Sequence, residues 1–161
     1  ITAWVCNKSE SAGLKTILKK GAGANEETYG VYFDQPAILT NPATLRFQFK
    51  DAAGTPFGDN STAAGVIPDQ WTHVAVTYDG SQVRFYTNGS TLGAVRDLGQ
   101  TSAQGGESLR FGTNVDIPGQ NFVGIMDEIK IFSKTLQNND VFNEYNAFKP
   151  TGNPGDPAWQ C

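Results

Sequence analysis

Scarcity narrows the chemistry of this chain before any motif is considered. Among 161 residues there is one histidine, His73, one methionine and two cysteines, Cys6 and Cys161. Two distant cysteines and one histidine cannot supply the four nitrogen and sulfur ligands of a structural zinc site. A catalytic triad or histidine base would have to run through His73 alone, and no serine or cysteine stands in a nucleophile context. Gly21-Ala-Gly23 lacks the Lys-Ser or Lys-Thr that completes a phosphate loop. Charge is sparse, at 17% of residues, with a net value of -4, and the 12 basic residues are scattered. No basic stripe exists for nucleic acid, whose phosphates demand one. Nor does any apolar run approach the roughly 20 residues of a membrane-spanning helix. The chain opens on Ile1 without methionine or a signal-peptide pattern, so it reads as a mature fragment or an excised module.

Glycine, by contrast, is abundant, at 18 residues, and 39% of the chain is hydrophobic. That balance suits an antiparallel sandwich with many turns, and the length suits about one domain. The segment from Trp71 to Ser90 spells out two strands and two turns. Val74, Val76 and Tyr78 are strand formers, Asp79-Gly80 is a hairpin signal, Val83, Phe85 and Thr87 alternate with polar residues, and Asn88-Gly89 reverses the chain again. Alternation predicts ten strands, near 1–5, 14–19, 28–34, 44–50, 63–67, 71–79, 82–88, 91–95, 108–113 and 122–132. Loops are expected at 21–27, 51–58 and 99–106. In 44–50, Leu45, Phe47 and Phe49 face one way and Arg46, Gln48 and Lys50 the other. One helix is expected over Asn138 to Phe148, with Val141, Phe142, Tyr145 and Phe148 on its apolar stripe, Asn138, Asn139 or Asp140 as N-cap, and one end of the sandwich as its seat. From Lys149 the chain is rich in proline and glycine, so residues 149–161 read as a tail that only Trp159 and Cys161 would hold in place.

Those residues also carry a resemblance. Trp71-x-His73-Val-Ala-x-x-Tyr78-Asp-Gly-x-x-Val83-x-x-Tyr86-x-Asn88-Gly is similar to the central hairpin of the laminin-G-like, concanavalin-A-like jelly-roll superfamily. Phe122-Val-Gly124-Ile-Met-Asp127-Glu128-Ile-Lys-Ile131-Phe132 resembles its closing strand, and Thr2 to Val5 an early one. The likeness runs from Ile1 to about Phe148 and implies an all-β antiparallel sandwich, with residues 149–161 as a separate tail. Members usually open with a further strand bearing a D-G-x-x-D-Y-type motif, ahead of the strand that here is Thr2 to Val5. Without that segment a strand edge needs protection, and the family's calcium site is less secure than its fold. The resemblance also implies that the chain ends meet, so that Cys6 and Cys161 bridge in an oxidising compartment. The alternative is one semi-buried and one terminal thiol. It further gives His73 a structural, hydrogen-bonded role, and Trp4 and Trp71 places in the core.

For chemistry, Asp127 and Glu128 are the obvious glycosidase pair, yet adjacent strand residues point to opposite faces unless a bulge intervenes. The E-x-D-x-x-E arrangement of sandwich glucanases is absent. Calcium is the one cofactor the resemblance suggests, with Asp127 as the carry-over ligand. On a face with Ile125, Ile129 and Ile131 that carboxylate would be buried, held by metal or by backbone amides, or else exposed on a bulge. Three sequons, at Asn7, Asn60 and Asn88, are about what chance supplies. Glycan binding in such folds uses a sheet face or rim loops. The candidates are Arg46, Gln48, Arg84, Tyr86 and Arg110 on the sheet, if their strands are neighbours, with Tyr29, Tyr32, Phe57 and Trp159 as aromatic platforms. The expected function is noncatalytic carbohydrate recognition within a larger secreted or surface protein. A protein-binding adhesive module is the second expectation, a polysaccharide lyase or glycosidase the third.

Overall fold

A computed structural model describes residues 1–8, 10–21, 28–99 and 105–161. Most of the loops expected at 21–27 and 99–106, and Ser9 of the first sequon, lie outside the described residues. Within them the strands run β1 (Thr2–Asn7), β2 (Gly13–Lys20), β3 (Tyr29–Gln35), β4 (Ala43–Lys50), β5 (Pro56–Val66), β6 (Trp71–Tyr78), β7 (Gln82–Thr87), β8 (Ser90–Thr91), β9 (Arg96–Asp97), β10 (Leu109–Phe111) and β11 (Gly124–Lys130). One helix, α1 (Asn138–Phe148), and a 3-10 turn at Pro157–Trp159 follow.

The strands form two antiparallel sheets. The first has the order β11-β1-β6-β7-β8, with β9 also on β7; the second has the order β10-β2-β3-β4-β5. Their inner faces meet in one core, to which alternation sends Ala3, Val5, Val74, Val76, Val83 and Phe85 from the first sheet and Val31, Phe33, Leu45, Phe47 and Phe49 from the second. The signals at Asp79-Gly80 and Asn88-Gly89 do form the turns that join β6, β7 and β8, with Asn88, Gly80 and Gly89 all at positive φ.

Three expectations change. β5 begins at Pro56, whereas 51–58 reads as loop in the sequence. The turn is shorter, closed by the Asp51 carboxylate accepting from Ala53 and Thr55 N–H at 2.9 and 2.8 Å, and proline is tolerated at the start of an edge strand. The expected strand at 91–95 is instead two short pairings, 90–91 and 96–97. The third concerns β11, where a bulge sets Asp127 against Trp4 and Lys130 against Thr2, with Glu128 at φ +48°. The extra residue shifts the alternation, so Met126 and Ile129 turn to the core while Ile125 and Ile131 stay exposed.

α1 lies across the outer face of the first sheet rather than at the end of the sandwich. Val141 is buried with Ala75, Tyr86 and Leu136, while Phe142 and Phe148 remain about half exposed. Its N-cap is Gln137, whose N–H donates to Asp140 Oδ2 at 3.0 Å; Asp140 acts three residues in, not as the cap itself. Lys149, ahead of Pro150, is extended and ends the helix. The tail then folds back over the same sheet. Trp159 is 1% exposed against Trp4 at 5.8 Å between ring centroids, Gln160 bridges to Gln70, and Cys161 is bonded to Cys6 with Cα atoms 6.3 Å apart.

Candidate functional site

Among the described residues no helix covers the outer face of the second sheet; the loop after β10 lies over its β2 side, where Thr16 and Lys19 are buried, and β4 and β5 carry polar side chains on the rest. The alternation that buries Leu45, Phe47 and Phe49 turns Arg46, Gln48 and Lys50 outward, each half-buried. Cross-strand register sets Thr16, Tyr32, Arg46 and Asn60 in one row and Lys19, Gly30, Gln48 and Gly58 in the next. Arg46 donates from Nε to Gln48 Oε1 at 2.8 Å and from Nη1 to Asn60 Oδ1 at 3.2 Å. Asn60 reaches on toward Asp34 Oδ2 at 3.5 Å. The guanidinium is therefore held in place by two side-chain carbonyls.

Two shallow depressions flank this network. One, of about 350 Å³, is lined by Arg46, Gln48, Lys50, Pro56, Phe57 and Gly58. The other, of about 490 Å³, is lined by Asp34, Pro36, Asn41, Pro42, Thr44 and Ala64. Gly58 lets β5 lie close against β4 beside the first one: a Cβ there would lie 2.6 Å from Gln48 Cβ and 2.8 Å from the Phe47 carbonyl oxygen. Phe57 is half-buried, stacked on Phe49 at 5.7 Å, and contributes to the lining of the depression.

Other candidate residues fall elsewhere. Arg110 is on the same sheet, three strands from Gln48, in register with Lys19, and its Nη1 donates to the Gly21 carbonyl at 3.2 Å. Arg84 and Tyr86 do not join it, because β7 belongs to the first sheet. Arg84 pairs with Asp79 at 3.4 Å, and Tyr86 is buried beneath α1 with its hydroxyl on Asn138 Oδ1 at 3.0 Å. Tyr32 and Trp159 are fully buried and present no ring face to solvent. Alternation tells which residues of a strand share a face; it does not tell which sheet the strand enters. Lys19 escapes a sequence reading altogether: its buried ammonium donates to Asn114 Oδ1 at 3.1 Å and Asp116 Oδ2 at 3.0 Å, clamping the loop after β10 onto β2. Asn60 and Gly58 are missed as well, since they sit where the sequence shows only loop composition and a sequon.

His73 is 2% exposed beneath α1, 5.4 Å from Trp4 and 6.0 Å from Tyr145. Burial lowers its pKa to about 4, against a smaller upward pull from Glu144 and a downward push from Lys130. Its backbone is tied to Asn88 in both directions, His73 N–H to Asn88 Oδ1 at 2.9 Å and Asn88 N–H to the His73 carbonyl at 2.8 Å. Trp4 is buried in the same group of rings; Trp71, expected in the core, is only half-buried. Asp127 is exposed rather than buried, and its Oδ1 accepts the Glu128 N–H of its own bulge at 2.8 Å. Glu128 lies 3.6 Å from Lys130, and no group of three or more His, Cys, Asp or Glu converges among the described residues. Tyr29 lines a third hollow, of about 300 Å³, at the end of the sandwich with Phe47, Tyr78 and Thr135, and burial raises both phenols.

A laminin-G-type family model, described as the concanavalin A-like lectin/glucanases superfamily, matches residues 1–142. Among solved structures, the CBM40 of the Ruminococcus gnavus IT-sialidase bound to α2,3 sialyllactose has a TM-score of 0.65 at 16% identity, covering 88% of this chain and 80% of that one. Domain 4 of AbnA, a GH43 extracellular arabinanase from Geobacillus stearothermophilus, in complex with arabinotriose, has a TM-score of 0.56 at 21% identity, covering 89% of this chain and 64% of that one. Among curated sequences, adhesion G-protein coupled receptor V1 of Danio rerio is 25% identical over 154 residues, which are 91% of this chain and 2% of the receptor. The chain therefore spans a small fraction of that relative. The solved structures share the fold, jelly-roll carbohydrate-binding modules among them.

Proposed function

Since the chain belongs to the concanavalin A-like lectin/glucanases superfamily, we propose that it is a noncatalytic carbohydrate-recognition module of a larger extracellular protein, binding glycan on the outer face of the second sheet. The observation that carries this reading is the Arg46, Gln48 and Asn60 network between two open depressions. Amides and a guanidinium fixed on a rigid sheet offer the hydrogen-bonding groups that sugar hydroxyls meet, and holding them in place beforehand lowers the ordering cost of binding. The R. gnavus module with sialyllactose and the arabinanase domain with arabinotriose support a glycan ligand by likeness of fold. An extracellular setting agrees with the Cys6–Cys161 bridge.

A protein-binding adhesive role is the second reading. It is favoured by the similarity to the adhesion receptor and by Phe111, Val123, Ile125 and Ile131, all four exposed and on or beside β10 and β11. A glycan array probed with the purified domain, once with calcium and once with chelator, separates the two. We expect binding to a defined sugar class, abolished when Asn60 and Gln48 are replaced by alanine and kept on chelation. Loss on chelation would instead make a metal, with Asp127 as its candidate ligand, part of the binding site. Silence under both conditions would overturn the glycan reading in favour of a protein partner.

A further inference from the structure

Lys19 and Asn114 meet in a place closed to water. Lys19 is 2% exposed and Asn114 4%, and Lys19 Nζ lies 3.1 Å from Asn114 Oδ1 and 3.0 Å from Asp116 Oδ2. An ion pair would need only Lys19 and Asp116. The carboxamide is fixed as well, at both ends: its Oδ1 also accepts the Asp116 N–H at 3.2 Å, and its Nδ2 donates to Gln120 Oε1 at 2.8 Å. The backbone on either side is braced. Thr16 N–H donates to the Gln120 carbonyl at 2.8 Å and Gly112 N–H to the Ile17 carbonyl at 3.0 Å. An amine, a carboxamide and a carboxylate are thus held in contact, with 95 residues of chain between Lys19 and Asn114.

We propose that Lys19 and Asn114 join in an intramolecular isopeptide bond, with Asp116 as the proton carrier. The Asn114 carbonyl carbon is one bond, about 1.2 Å, beyond the oxygen that Lys19 already touches. Groups held this close react as if present at roughly 10⁵–10⁸ M, which is what an unactivated carboxamide requires. Lys19 yields one proton to Asp116 and attacks as the free amine. The Nζ–Cγ bond forms, the Cγ–Nδ2 bond breaks, and a second Nζ proton passes to Nδ2. Ammonia leaves with the electron pair of the broken bond and takes up the proton held by Asp116, departing as ammonium. Nothing is oxidised or reduced, and no co-reactant enters. The Asp116 N–H stays on the oxygen while it carries negative charge in the tetrahedral intermediate. Asp116, with its side chain 21% exposed, stands on the open side through which ammonium can leave. The product fastens the loop after β10 to β2 by a bond that reductant does not break, as the Cys6–Cys161 bridge fastens the tail to the first sheet. It does not depend on what the module binds.

The test is the intact mass of the purified domain after reduction and alkylation, followed by tryptic peptide mapping. The chain should be lighter than its sequence by one ammonia, and the map should contain a branched peptide joining the segments around Lys19 and Asn114. Lys19→Arg, which keeps a cation in the clamp but cannot form the amide, should restore the full mass, and so should Asp116→Ala. The branched peptide is read from the unaltered chain, so the folding of a variant does not decide the result. Full mass in the unaltered chain overturns the proposal. Loss of ammonia that persists in Lys19→Arg places the reaction at another asparagine and overturns it too. Loss of water, with the branch at Asp116, overturns the assignment to Asn114. A cross-link that survives Asp116→Ala overturns the role given to that carboxylate.

Discussion

His73 is the residue whose burial should be visible in the pH dependence of stability. Its pKa is lowered from 6.5 to about 4 in the folded chain, chiefly by burial under α1. The unfolded chain therefore binds more protons between those values, so stability rises with pH across the window and is complete above about 6.5. On acidification it is lost progressively from about pH 6.5 to about 4, by at most about 3.5 kcal/mol at roughly 1.4 kcal/mol per unit. Urea unfolding at pH 7 and pH 4.5 should show this slope, and His73→Phe, which keeps a ring beside Trp4, should flatten it. An unchanged slope in that variant would mean that surface carboxylates, not His73, set the acid limit. The sequence shows His73 in a strand beside Trp71 and Ala75, but not that a helix from 65 residues later would seal it, because burial on the outer face depends on a distant element.

At the scale of elements, the decisive contact is between α1 and the turn from β7 to β8. Gly89 sits there at φ +76°, and a Cβ would lie 2.9 Å from Tyr145 Cδ1 and 3.1 Å from Phe142 Cδ2. Two demands coincide, a left-handed backbone and a close approach of rings. Gly89→Ala should cost about 1–3 kcal/mol, read as a lower urea midpoint with an unchanged m value, together with redder tyrosine and tryptophan emission if α1 lifts. Retained stability would show that the helix tolerates a shifted seat. The Asn88-Gly89 pair is legible as a turn in sequence for its own local reason; its second task, admitting the helix, is not. The bulge in β11 is hidden for a related reason. Nothing in Ile125-Met126-Asp127-Glu128-Ile129 announces which residue is extra, since the choice belongs to the register with β1.

At the scale of the whole molecule, the tail is a clasp. Cys161 closes onto Cys6 across 155 residues, Lys8 Nζ donates to the Cys161 carbonyl at 2.7 Å, and Trp159 fills the space beside Trp4 and Tyr145. In the chain-entropy account, closing so long a loop stabilises the fold by about 5 kcal/mol. Reduction should therefore lower the thermal midpoint by many degrees and shift Trp159 emission to the red as the tail releases; matching melts with and without reductant would sink this account. The sequence by itself determined the sandwich class, because alternation and turn chemistry are local and each strand carries its own copy of the signal. It also determined which side of β4 is polar. Only the tertiary structure decided that β4 and β7 enter different sheets, so that Arg46 shares a face with Arg110 and not with Arg84, and that Tyr32, Tyr86 and Trp159 are packing residues. A period of two records the face a residue takes, while strand order and the covering of a face are set by contacts between segments far apart in the chain, which no single segment encodes.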